Sequence, residues 1–68
     1  MTNGAYRRLS GLLHLGGRSP LLETDDNGLI HLVTSDDLSS FEGARVVVEG
    51  HLSGTDRLNL TWIGRAPA

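Results

Sequence analysis

With 68 residues the chain has room for one domain, spanning residues 1–68, and it carries a formal charge of -2 and no cysteine. That excludes a disulfide framework, a cysteine nucleophile and a thiolate metal site, and it leaves no basic excess of the kind that holds nucleic acid by charge. A domain this small buries only about 60% of its unfolded surface, so a compact core or a partner has to supply stability.

No apolar run approaches the ~20 residues that span a bilayer, and the start Met1–Arg8 has no hydrophobic signal core after its charges. The expectation is a soluble, cytoplasmic protein with no membrane partner. All six basic residues are arginine, a bias that GC-rich coding produces without any binding need.

Residues 1–5 are expected to be a flexible start. From Tyr6 to Leu15 the chain alternates: Leu9, Gly11, Leu13 and Leu15 share one face, and Arg8, Ser10, Leu12 and His14 the other. This predicts a long first strand. Gly11 on its inner face suits a bend or a close backbone approach, which a small barrel needs to close. Gly16-Gly17 predicts a tight reversal with positive φ.

A second, short strand is predicted over Leu21–Thr24, after Pro20, which cannot donate to a ladder. Asp25-Asp26-Asn27-Gly28 is the strongest turn signal in the chain. A third strand follows over Leu29–Thr34, with Ile30 and Leu32 inward and His31 outward. The period then changes. Thr34 with Asp37, and Ser39 with Glu42, stand at capping-box spacing, and Leu38 and Phe41 lie one helical turn apart. A helix of one or two turns, ended by Gly43, is predicted to plug one end of the barrel.

The clearest strand is Gly43–Gly54, where Val46, Val48, Gly50 and Leu52 share one face and Arg45, Val47, Glu49 and His51 the other. Ser53-Gly54-Thr55-Asp56 turns the chain into a fifth strand, in which Leu58, Leu60 and Trp62 alternate with Arg57, Asn59 and Thr61. That spacing places Trp62 inside and Ile63 outside. Residues 64–68 are read as a tail.

Three strands, a short helix and two strands, with Gly43-Ala44-Arg45-Val46-Val47-Val48-Glu49-Gly50 after the helical segment, resemble the OB-fold, a five-stranded partly open barrel. The whole chain is similar to very short bacterial OB-like proteins of unassigned function. The resemblance implies an all-β domain with one short helix in the order β-β-β-α-β-β. An SH3-like barrel is the alternative, less well matched because the helical segment falls between strands three and four.

OB-folds bind single-stranded nucleic acid with basic grooves and aromatic platforms. Strands two and three here hold no aromatic residue, and an acidic turn joins them, so nucleic acid is the secondary expectation. Its candidate contacts are Arg7, Arg8, Arg57 and Arg65. His14, His31 and His51 fall on outward faces of different strands, with His14 and His51 close if strands one and four are neighbours. Their spacing matches no zinc motif, and neither metal nor cofactor is expected. Ser10 and His14 share a strand face, but two residues do not make an activated nucleophile with an oriented base, so no catalytic group is assigned and an enzyme is not expected. The leading expectation is an interaction module, self-associating or binding a protein partner. It rests on outward-facing Leu12, Val47 and Ile63, joined by Leu29 or Val33.

Overall fold

The structure is a computed structural model that describes residues 5–17 and 19–67. Five strands form one sheet: β1 (Tyr6–His14), β2 (Leu21–Thr24), β3 (Leu29–Val33), β4 (Arg45–Ser53) and β5 (Arg57–Arg65). Each pairs with two neighbours in the order β1-β2-β3-β5-β4, and β4 returns to β1, so the sheet closes into a barrel-like ring. All pairs are antiparallel except β3 with β5. Among the described residues closure leaves no free sheet edge to template aggregation. The expected all-β, five-stranded order holds.

Period-two alternation puts the predicted residues inside. Leu13, Leu22, Leu32, Val46, Val48 and Leu58 are fully buried, and Leu38 nearly so. Leu9, Leu15, Ile30, Phe41, Leu52, Leu60 and Ile63, each partly buried, pack against them. Gly11 shows why the inner face needs glycine there. A Cβ at this position would lie 2.0 Å from the carbonyl oxygen of Glu23, so β1 and β2 approach closely only without one. Gly50 meets Asn59 on β5 in the same way.

Four local expectations need correction. The helix is a single 3-10 turn, Ser39–Phe41. Neither capping box forms: the Asp36 amide donates to Thr34 Oγ1 and the Ser39 amide to Asp37 Oδ1, so both side chains satisfy turns ahead of the helix. The plug itself is present, because Leu38 is buried and Gly43 and Ala44 bond to the backbone of Leu13. Gly16 and Gly17 do not take positive φ; the chain crosses from β1 to β2 by a wider loop. Asn27, at φ 70°, supplies the left-handed residue of the β2–β3 turn. Finally, β5 continues to Arg65, and the Ala66 amide bonds to Arg45, so 64–66 are no tail. At the start, Ala5 accepts a bond from the Leu52 amide, while residues 1–4 and Ala68 lie outside the described residues.

Candidate functional site

The surface that distinguishes this barrel is made by one irregularity. Along β4 and β5 the register runs regularly to Gly50↔Leu60, then shifts so that Glu49 faces Trp62. Thr61 is the extra residue of a β-bulge. Without it Trp62 would sit opposite Val48 and point into the core, as strict alternation predicts. With it, Trp62 shares the outward face of Glu49 and is 50% exposed, while Ile63 turns inward and packs on the core. Trp62 and Ile63 thus exchange their predicted facings. The indole lies back over Gly64, where a Cβ would stand 2.6 Å from Trp62 Cη2.

The wall so formed spans β1, β4 and β5. The pairings Arg8↔Glu49↔Trp62 and Tyr6↔His51↔Asn59 place two rows of side chains side by side. Tyr6, 53% exposed, donates its hydroxyl to Glu49 Oε1 at 2.7 Å and lies 3.3 Å from Thr61 Oγ1. Its ring stands edge-on to His51 with centroids 5.0 Å apart. Arg8 Nε approaches the other Glu49 oxygen at 3.7 Å. Thr61 returns a bond to the Glu49 carbonyl, tying the bulge down. The result is two amphipathic aromatic rings beside one carboxylate, Tyr6 bonded to it and the Trp62 indole laid over Gly64, with one arginine next to them.

The other expected contact residues divide. Val47 is half-buried on β4, one row from this wall through Ser10↔Val47 and Val47↔Gly64, and Leu12 is exposed on β1 a row further, opposite Arg45. Leu29 and Val33 are both exposed on β3, around the ring from it. The four arginines do not converge. Arg7 and Arg8 sit near the start of β1, and Arg57 starts β5 beside His31. Arg65 is committed at the barrel end, donating to the Ser40 carbonyl at 2.6 Å with its guanidinium 5.7 Å from the centre of the Phe41 ring.

The histidines are apart as well. Antiparallel pairing sets His51 opposite Tyr6, whereas His14 lies at the far end of β1, roughly 26 Å along an extended strand. The expected approach of His14 to His51 does not occur. His14 Nε2 instead meets Glu23 Oε1 at 3.0 Å. Among the described residues no three potential ligands gather as a metal site. Ser10 donates to Asp25 Oδ2 at 2.8 Å, so its hydroxyl is engaged away from His14. That bond, with one from Arg45, fastens the β2–β3 turn to β1 and β4 and holds the Asp25 carboxyl below the usual carboxylate range, the arginine contributing most. Among the described residues no helix is long and apolar enough to cross a membrane.

No curated protein and no solved structure matches the chain. A family described as a protein of unknown function, DUF5818, matches residues 10–66, from the middle of β1 to just past the end of β5. The match covers most of the sequence and every strand of the ring, and the chain belongs to the DUF5818 family.

Proposed function

We propose that the chain is a non-enzymatic, OB-like cytoplasmic module whose work is association, and that its partner on the β1–β4–β5 wall is a second copy of itself. The observation that carries this reading is the bulge at Thr61, which takes the chain's single tryptophan out of the core and sets it half-exposed near Tyr6. Tryptophan and tyrosine are the side chains that most often anchor interfaces, since each joins a large apolar surface to a polar tip. Tyr6 is already bonded to Glu49 and the Trp62 indole rests over Gly64, so little rotamer freedom is lost on docking.

Charge favours a second copy as the occupant. A two-fold contact demands a self-complementary surface. The wall carries one guanidinium and one carboxylate, Arg8 and Glu49, so an antiparallel meeting sets unlike charges against each other. The single-strand alternative draws less support, because its four arginines are scattered and Arg65 is engaged.

Sedimentation velocity over a hundredfold concentration range tests the reading. A shift from monomer to dimer is expected, abolished by Trp62→Ser and weakened by Val47→Glu. One monomer boundary at every concentration overturns it, as does a dimer that ignores Trp62→Ser.

A further inference from the structure

Around the ring from the aromatic wall, four consecutive strands set His14, Leu21, His31 and Arg57 in one cross-strand row, through the pairings His14↔Leu21, Leu21↔His31 and His31↔Arg57. Paired residues share a face, and neighbouring strands lie about 4.8 Å apart. His31 and Arg57 are therefore direct neighbours, and His14 stands two strands, about 10 Å, from His31. The row lies along a cleft of about 800 Å³ whose other walls include Ser19 and Pro20 of the β1–β2 loop and Val33 and Thr34 at the end of β3. That volume falls in the ordinary range for small-ligand sites.

The sign of the lining is unusual for this chain. Acidic residues outnumber basic ones by eight to six, yet among the described residues the cleft is lined by one arginine and two histidines and by no aspartate or glutamate. Glu23 bonds His14 from beyond the lining. Arg57 takes part in no ion pair and no side-chain hydrogen bond among the described residues, so its fork of donors faces the opening uncommitted. A guanidinium binds planar or tetrahedral oxyanions with two parallel hydrogen bonds, and an imidazole beside it adds a further donor. Leu21 and Val33 give the same cleft an apolar side.

We propose that this cleft binds a small organic anion, with the oxyanion group on Arg57 and His31 and an apolar body over Leu21 and Val33. The site is independent of self-association, because none of these residues belongs to the aromatic wall. Phosphate and carboxylate share the recognition chemistry, and two probes of one shape separate them: phenyl phosphate and benzoate, with benzyl alcohol as the uncharged counterpart.

The test is a nuclear magnetic resonance titration that follows the side-chain signals of His14, His31 and Arg57. Saturable shifts at His31 and Arg57 are expected with at least one of the two anions and none with benzyl alcohol. Arg57→Gln is expected to weaken binding about tenfold, and His31→Gln less, with the amide spectrum of the rest of the barrel unchanged. The stronger anion identifies the natural head group. Silence from both anions overturns the proposal, as does equal binding of benzyl alcohol. An oligothymidylate that binds where neither small anion does also overturns it, in favour of a polymer ligand. Full affinity in both variants overturns the assignment of these residues.

Discussion

A single missing side chain decides whether β1 and β2 can meet. Glu23's carbonyl oxygen would stand 2.0 Å from a Cβ at Gly11, and the Glu23 carbonyl carbon and Thr24 Cα crowd the same space, so no rotamer change relieves the clash. Gly11→Ala is expected to destabilise the barrel by about 3 kcal/mol or more, read from urea melts, whereas alanine in an open strand position would be neutral. A second residue-scale effect is electrostatic. The Asp25 carboxyl is held low by Arg45 and Ser10, Asp26 by Thr24 and the Gly28 amide, and Asp37 by Ser39. Each group thus binds its proton more weakly folded than unfolded. The stabilisation is complete above the ordinary carboxylate range and is lost as pH falls from about 4 towards the lower folded values. Melting temperatures are expected to stay level from neutral pH to about pH 5 and to drop below about pH 4, with Asp25→Asn flattening part of that fall. A melting temperature that rises on acidification would contradict this. Gly11, and Asn27 as the left-handed turn residue, were both legible as kinds of position in the sequence, because each rests on a short-range steric rule. Asp25's tertiary bonds were not, since Ser10 and Arg45 reach it only once β1 and β4 are side by side.

At the scale of the element, β5 holds the difference between a legible fold and an illegible surface. Its strand character and its inward Leu58 and Leu60 followed from alternation, and so did the inner faces of β1, β3 and β4. A bulge has no such periodic signature: the alternation of R-L-N-L-T-W-I-G-R places Trp62 inside, and nothing in the spacing marks Thr61 as the extra residue. What decides is the fit of the barrel. Val48 already fills the interior opposite Ile63, and an indole is far larger than an isoleucine in that layer. The same local blindness made a capped helix of the 3-10 turn, since Thr34 and Asp37 bond to the nearest amides instead of opening a helix. Because Trp62 is the only tryptophan, its fluorescence reports the facing directly. Dilute protein is expected to give a long-wavelength emission readily quenched by acrylamide. Deleting Thr61 removes the extra residue and brings Trp62 opposite Glu49 in a regular ladder, so the emission should stay accessible. A blue, quencher-protected emission in the dilute wild type would mean that β5 carries no bulge and that the indole is in the core.

For the whole molecule, size sets the terms on which the aromatic wall matters. Seven side chains make up the buried core, and the ring around them has no disulfide to reinforce it. Domains of this length bury a smaller fraction of their unfolded surface than larger ones do, so a self-association that hides Trp62 and Tyr6 contributes a large share of the total stability. Association is linked to folding by mass action, because a dimer forms from folded chains and not from unfolded ones. The melting temperature is therefore expected to rise with protein concentration, by several degrees over a hundredfold range, given that about 1 kcal/mol moves a domain of this size by roughly 4–8 °C. Trp62→Ser places a smaller polar residue at a half-exposed site and leaves the core untouched, so at low concentration it should melt close to the wild type. The two proteins should then diverge as concentration rises, the wild type climbing and the variant staying level. A wild-type melting temperature that does not move would leave the wall without a second copy. If Trp62→Ser instead lowers melting equally at all concentrations, the indole stabilises its own barrel across Gly64, and its exposure has an intramolecular cause.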